Sequence, residues 1–213
     1  MPKNFTNEWT RERKVPVSSK IVDTMHPLPL KDKITKTIFR LKMVQHKLEN
    51  SRLRIEQKHK GLFSKCVRAQ EAKNTQTAVI YANECSQVKK IAQTIVSSQL
   101  ALDQVVLRLE TVKDFGDVAA EIMPTASIIR AVKDRLAGII PEVSTHLGAI
   151  SQTMDSLVLE VGETMGQSWI STVSGEEADK VLAEAAMIAE QKVREGFPEL
   201  PTPSTTLKGV NPQ

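Results

Sequence analysis

One four-residue stretch, Glu-Gln-Lys-His at residues 56–59, has the spacing of a metal-binding helix motif. Di-iron bundles use two Glu-x-x-His pairs and two further glutamates that converge on the metal ions. The chain has no second pair that would complete such a site. The neighbours of Glu56 are basic: Arg52, Arg54, Lys58 and Lys60. A charged helix end is therefore the favoured interpretation, and a di-metal bundle enzyme is the least favoured of three functions.

Other catalytic chemistry finds little support in the residues. His26, His46 and His146 are isolated and lack ligand spacing. A phosphate-binding glycine loop, a dinucleotide fingerprint and a nucleophile elbow are absent from the sequence. We therefore expect a protein that is not an enzyme and that needs no cofactor.

The two cysteines, Cys66 and Cys85, are predicted to lie in one helix. Their separation of 19 residues would place them roughly 28 Å apart along the helix axis. This distance is too long for a disulfide. We expect free thiols in a reducing cytosol.

The N-terminal segment carries large apolar residues, Met1, Phe5 and Trp9, at every fourth position. The basic residues around them are Lys3, Arg11, Arg13 and Lys14. As a helix, the segment would lie in a lipid interface with its apolar face buried. Each basic residue would add about 1 kcal/mol on an anionic leaflet. A disordered tail with two aromatic residues remains the alternative.

Charge is distributed unevenly along the chain, although the net charge is only +4. Residues 1–110 carry 21 Lys+Arg and 10 Asp+Glu, whereas residues 111–213 carry 8 and 15. The basic residues of the first long helix are Lys31, Lys33, Lys36, Arg40, Lys42, Lys47, Arg52, Arg54, Lys58 and Lys60. Such density favours an anionic partner, either a membrane or a nucleic acid. Ordinary solvated helix faces are the alternative.

A lipid partner is favoured over nucleic acid for this basic half. Nucleic-acid readers usually add aromatic stacking platforms, and Phe39 is the only aromatic residue in the basic first helix. We expect no specific nucleic-acid binding, and a basic helical nucleic-acid-binding protein is the runner-up function.

Proline and glycine positions predict an all-α fold built on a long antiparallel hairpin. No proline occurs between Pro29 and Pro124, and Gly61 is the only glycine before Gly116. We predict helices over residues 30–58 and 62–113, with the break at residues 59–61. The second helix would be too long for its partner to cover, so its uncovered part predicts self-association.

An apolar seam with alternating three- and four-residue spacing runs along both arms, as in coiled coils. Its members are Ile34, Ile38, Leu41, Leu48, Val88, Ile91, Ile95, Leu102, Val105 and Leu109. We expect this seam to hold the hairpin and to contact other copies of the chain in a polymer.

Shorter helices are predicted to follow the hairpin. Residues 117–137 form a helix disturbed at Pro124, and Pro141 suits the first turn of the next, which ends near Met165. A capping-box pattern at Ser174 and Glu177 begins an acidic helix over residues 175–194, which closes at Gly196.

The tail at residues 197–203, Phe-Pro-Glu-Leu-Pro-Thr-Pro, must be extended because its prolines exclude helix. Its apolar residues and preformed backbone are typical of segments that dock into grooves on partner domains. A plain disordered terminus is the alternative.

These features together resemble the ESCRT-III family, and most closely its archaeal cell-division branch, the CdvB-like proteins. The resemblance spans residues 30–203 and rests on helix order, charge distribution and the tail. It implies four regions: a membrane-proximal segment at 1–29, a helical core at 30–173, an acidic regulatory helix at 174–195 and a proline-rich tail at 196–213. Since the sequence ends ten residues after Pro203, we expect no winged-helix domain.

The resemblance also implies a function. Such proteins polymerise with themselves and with paralogous subunits, in an extended open form, and constrict or cut membranes. The tail resembles a motif that binds the MIT domain of a vacuolar-sorting-type AAA ATPase, through Phe197, Pro198, Leu200, Pro201 and Pro203. The membrane-binding residues would be Phe5, Trp9, Arg11, Arg13, Lys14, Lys31, Lys33, Lys36 and Arg40. With no apolar run of spanning length or signal-type segment, the location implied is cytoplasmic, peripheral on the inner face of the membrane at the division site.

The family further implies a closed monomer in which the acidic helix folds against the basic hairpin. The acidic residues that would face the basic arm are Glu176, Glu177, Asp179, Glu184 and Glu190. Asp114, Gly116, Asp117 and Pro124 would weaken the chain where it bends. We expect this latch to loosen with salt, and deletion of residues 175–213 to promote polymerisation.

Overall fold

A computed structural model of the chain describes residues 30–115, 118–165 and 172–198, and these residues form five α-helices. The helices are α1 (Leu30–Glu71), α2 (Thr75–Phe115), α3 (Val118–Leu136), α4 (Pro141–Met165) and α5 (Thr172–Gly196). No strand occurs within these ranges. The predicted all-α class, with a long hairpin followed by shorter helices, is confirmed, and α4 has the predicted bounds.

The predicted break at residues 59–61 is wrong, because α1 continues through Gly61 to Glu71. Gly61 is exposed, and a helix tolerates a single exposed glycine at a cost of about 1 kcal/mol. The chain turns instead at Ala72, Lys73 and Asn74.

The turn closes α1 with a Schellman motif. The Asn74 amide donates to the Ala69 carbonyl at 2.9 Å, and the Lys73 amide to the Gln70 carbonyl at 2.9 Å. Lys73 takes the left-handed conformation, with φ at 55°, which usually requires glycine. Asn74 then caps α2, because its Oδ1 accepts the Thr77 amide at 3.1 Å.

The arms of the hairpin are almost equal, with 42 residues in α1 and 41 in α2. The expectation that part of the second helix remains uncovered is therefore wrong. Nine of the ten seam residues are buried within this one chain, and Ile91 is partly buried against the same core. The turn also places Cys66 in α1 and Cys85 in α2, so the prediction of a shared helix is wrong as well; both are buried, free thiols.

The shorter helices complete a layered bundle around the hairpin. Helices α3 and α4 pack on each other, α3 also packs on α2, and α4 packs on α1. Pro124 lies inside α3 without ending it, although a proline in the second turn removes one backbone hydrogen bond and crowds the preceding turn. Helix α5 begins at Thr172, three residues before the predicted start, and packs on α2 and α3.

Candidate functional site

The outer face of α1 carries basic side chains in a single line. Positions 36, 40, 47, 54, 58 and 65 are separated by four or seven residues, so they share one side of the helix. We call Lys36, Arg40, Lys47, Arg54, Lys58 and Lys65 the cationic row. The row extends for about 44 Å. The sequence predicts all of these positions except Lys65 in a first helix that is basic on several sides, and Lys65 in the second helix. The spacing of four and seven residues is the signal that could have grouped them on one face.

Most members of the row lack an acidic partner among the described residues. Lys36, Arg40, Arg54 and Lys58 are exposed and form no ion pair there. Lys65 lies over the Tyr81 ring, with Nζ 5.9 Å from the ring centroid. Lys47 is the exception, because Glu142 and His146 of α4 contact its Nζ. The row therefore presents net positive charge to the solvent.

Other lysines of α1 hold neighbouring helices instead. Lys33 pairs with Glu160 of α4 at 2.6 Å, and Lys42 pairs with Glu110 of α2 at 2.7 Å. Ion pairs that keep contact with solvent, as both of these do, typically stabilise a fold by at most about 1 kcal/mol. The pair with Glu160 nevertheless neutralises the charge of Lys33, a residue predicted from the sequence to contact the membrane.

The remaining predicted membrane residues divide into two groups. Lys31, Lys36 and Arg40 are exposed on α1. The other group lies outside the described residues: Phe5, Trp9, Arg11, Arg13 and Lys14.

The first residue of the predicted docking tail is buried. Phe197 follows α5 directly and is 3% exposed, in a cluster with Ala92, Val96, Ala189 and Val193. Its ring lies edge-on to the His59 ring, with the centroids 4.5 Å apart. Pro198 is exposed.

The rest of the tail motif, Leu200, Pro201 and Pro203, lies outside the described residues. In this conformation, Phe197 belongs to the core and is not available to a partner.

His59 is the residue of α1 whose ring packs against Phe197. The side chain is 2% exposed and also stacks on Phe63, with the ring centroids 6.4 Å apart. Burial lowers the pKa of His59, and the charge of Lys89 on α2 lowers it further. The imidazole is therefore held neutral as a packing group. The sequence offered no signal for this role beyond the residue type.

The Glu-x-x-His stretch does not assemble a metal site. Glu56 is paired with Arg52 of the same helix turn, while His59 points into the core. Arg52 also binds Glu49 at 2.6 Å, and hydrogen bonds from Arg52 and then Gln99 lower the pKa of Glu49 to about 2. Across the described ranges, no group of three or more His, Cys, Asp or Glu could hold a metal ion.

The acidic helix α5 does not face the basic arm. It contacts α2 and α3, and the side that it buries is apolar. The buried residues of α5 are Ala178, Val181, Leu182, Ala185, Ala189 and Val193. The expected electrostatic latch against α1 is therefore wrong, because the hydrophobic stripe of an amphipathic helix determines which side it buries.

The acidic side chains of α5 consequently face mostly away from the bundle. Glu176, Asp179, Glu184 and Glu190 are exposed. Glu177 forms the one ion pair between α5 and another helix within the described residues, at 2.6 Å from Arg108 of α2.

None of the described helices has a segment that is both long and apolar enough to cross a membrane.

Comparison with known proteins identifies the family. Residues 36–206 match the Snf7 family model. Cell division protein B1 of Sulfolobus acidocaldarius is 35% identical over 204 residues, which cover 96% of this chain and 92% of that protein. Cell division protein B of the same organism is 34% identical over 185 residues, covering 87% of this chain and 71% of that protein. No solved structure matches the chain. The resemblance inferred from the residues is thereby confirmed, and the chain belongs to the Snf7 family, the family of ESCRT-III proteins.

Proposed function

We propose that this chain is a filament-forming subunit that assembles on the inner face of the cell membrane and helps to constrict and cut it during archaeal cell division. Two of its relatives are named as cell division proteins of the archaeon Sulfolobus acidocaldarius. In this proposal the protein is not an enzyme, and the mechanical work is supplied by an ATPase that it recruits.

The cationic row is the observation that carries the proposal. It places positive side chains along about 44 Å of one helix face, which suits a flat, extended, anionic surface. Each basic residue near an anionic leaflet contributes about 1 kcal/mol. A single subunit therefore binds the membrane with moderate affinity, and a polymer of many subunits binds it with high avidity.

Polymerisation follows from release of α5 in this proposal. The apolar face of α5 covers Ala92 and Val96 of α2, and the same surface becomes available when α5 leaves. An exposed apolar surface of that kind favours contact with another copy of the chain or a paralogous subunit. The seam itself stays inside the hairpin and holds the rod together.

Recruitment of an AAA ATPase through its MIT domain is assigned to the tail, at Phe197, Pro198, Leu200, Pro201 and Pro203. Because Phe197 is buried against His59, the ATPase would engage the complete motif only after this side chain leaves its cleft. A peptide of residues 196–203 should bind the MIT domain in a titration. Phe197→Ala or Leu200→Ala should weaken binding, whereas Thr202→Ala should not.

Membrane binding is tested by co-sedimentation with vesicles, followed by electron microscopy. Wild-type protein should bind vesicles that contain phosphatidylglycerol, ignore pure phosphatidylcholine, and form filaments on the former. The triple variant Lys36→Glu, Arg54→Glu and Lys58→Glu should bind roughly a hundred-fold more weakly or worse.

A matched control carries the same charge change away from the row: Lys60→Glu, Lys90→Glu and Lys180→Glu. If both triple variants lose binding equally, total charge and not the row is responsible. If the wild type binds duplex DNA and not anionic vesicles, the nucleic-acid function replaces the membrane function.

A further inference from the structure

Two large apolar side chains project from the outer face of α1. Phe39 is 67% exposed and Met43 is 49% exposed. They are four residues apart, so they stand next to each other on the helix surface. Neither is part of the bundle core, in contrast to Ile38 and Val44 beside them in sequence. Water is an unfavourable environment for such a pair.

Basic side chains surround this pair. Lys36 and Arg40 stand on the same side of α1, one turn away, and Lys47 follows Met43 by four residues. Arg40 and Met43 also line a groove of about 400 Å³ between α1 and α4, whose opposite wall contains His146, Ala149 and Ile150. The groove therefore combines an apolar floor with a cationic rim.

One acidic group lies near the groove. Glu142 contacts Lys47, and hydrogen bonds and charge from Lys47 lower its pKa, so the carboxylate stays ionised. It neutralises Lys47 and leaves Arg40 and Lys36 without an acidic partner among the described residues. Asp32, one turn before Lys36, is a further acidic residue on this side of α1. With Lys36, Arg40 and Lys47 against Asp32 and Glu142, the described surface next to Phe39 keeps a net positive charge.

We propose that Phe39 and Met43 insert into the interface of an anionic bilayer, with Lys36 and Arg40 on the lipid headgroups. This inference rests on the proposed membrane function and goes beyond it, since it assigns an apolar anchor to the folded hairpin itself. The arrangement is that of an interfacial helix, apolar in the centre and cationic at its edge.

A bilayer fits this patch better than a second copy of the chain. A stable protein interface buries about 1,200–2,000 Å², whereas one large aromatic side chain supplies only about 150–250 Å². The flanking cations would also repel the same face of another copy. Anionic headgroups, in contrast, complement them.

Tryptophan fluorescence tests the insertion directly in the full-length chain. Phe39→Trp is placed in a background in which Trp9→Phe and Trp169→Phe remove the native fluorophores. The matched control is Leu159→Trp, a residue on α4 that is equally exposed at 68% but stands one turn from Asp155. With phosphatidylglycerol vesicles, the residue-39 emission should shift to the blue and be quenched by brominated acyl chains, while the residue-159 emission should not.

Affinity supplies a second measurement. Phe39→Ala with Met43→Ala should weaken vesicle binding by roughly ten-fold, and Leu159→Ala should leave it unchanged. If vesicles are bound but the residue-39 emission is neither shifted nor quenched, the insertion is wrong and the membrane function stands. If neither the wild type nor any variant binds vesicles, both the insertion and the membrane function are wrong. If the double alanine variant instead abolishes lipid-free self-association, the patch contacts another copy and the insertion is wrong.

Discussion

At the scale of single residues, the contact between His59 and Phe197 connects the beginning of the tail to the middle of α1. The two rings meet edge to face at 4.5 Å, an arrangement worth about 1 kcal/mol beyond the area that it buries. The contact favours a neutral imidazole, because an imidazolium at this site would be buried away from water and would face the charge of Lys89.

The stability of the described fold should therefore depend on pH through His59. Since its pKa is lowered from 6.5 in the folded state, the stabilisation is fully present above that ordinary value and is lost as the pH falls towards the lowered pKa. Melting temperatures between about pH 7.5 and pH 5 measure the effect. His59→Phe should flatten this dependence, and His46→Phe, at an exposed position on the same helix, should not. An unchanged profile in His59→Phe would contradict the assignment.

The hairpin turn yields a prediction on stability. Lys73 adopts a left-handed conformation that costs a lysine roughly 1 kcal/mol and costs glycine little. Gly61 lies in mid-helix, and a methyl group on its Cα would meet no other atom within 4 Å, so alanine fits there. We expect Lys73→Gly and Gly61→Ala each to raise the free energy of unfolding, by about 0.5–1 kcal/mol. Denaturant titration measures both. Destabilisation by Lys73→Gly would argue against the Schellman turn.

At the scale of elements, α5 illustrates how an amphipathic helix selects its neighbour. Its acidic residues suggested attraction to the basic arm, but its apolar stripe packs on α2 and α3. Exposed charges interact weakly in water and are screened by salt, whereas each fully buried valine or leucine side chain stabilises the contact by about 1.5–3 kcal/mol. The apolar stripe therefore decides the orientation.

Detachment of α5 should follow from a charge on its apolar side. Ala185 is fully buried, and Ala183 is exposed on the same helix. Ala185→Asp should release α5 because an unpaired buried carboxylate costs several kcal/mol, and Ala183→Asp should be neutral. Hydrogen exchange of the α5 amides reports release.

Salt provides a further check on the same element. With Glu177–Arg108 as the single described ion pair to another helix, high salt should leave the wild-type α5 protected from exchange. Release of α5 by salt alone would restore the electrostatic latch.

At the scale of the whole molecule, the two arms of the hairpin are almost equal in length. Each arm therefore covers the apolar seam of the other, and the hairpin needs no second subunit for this purpose. Its seam is filled internally, so self-association requires another surface. In the proposed assembly, the surface under α5 and Phe197 provides one, because it is apolar. Its part under Phe197 and the end of α5 forms a separate cluster, whereas the first half of α5 packs in the main core.

Removal of residues 175–213 should therefore promote self-association. The truncated chain exposes Ala92 and Val96, together with the surface that received Val193, and it should sediment as polymers on phosphatidylglycerol vesicles at concentrations where the full chain remains small. Analytical ultracentrifugation and electron microscopy measure this. A truncated chain that stays monomeric on such vesicles would exclude α5 as the element that restrains assembly.

Sequence alone determined the features that depend on local pattern. The three- and four-residue apolar spacing identified the seam, and Pro141 fixed the start of α4, because helix periodicity and proline geometry act within a few residues. The same reasoning gave the all-α class and the family.

Tertiary structure decided the features that depend on which surfaces meet. The turn lies at Lys73 because the packed hairpin holds a lysine in a conformation that it disfavours by itself. Lys33 meets Glu160 across 127 residues of sequence, and Phe197 meets His59 across a still longer interval. A periodic pattern identifies the face of a helix that will be buried, but the partner that buries it is selected by the packing of the whole chain, and this selection determines which charges and which tail residues remain free.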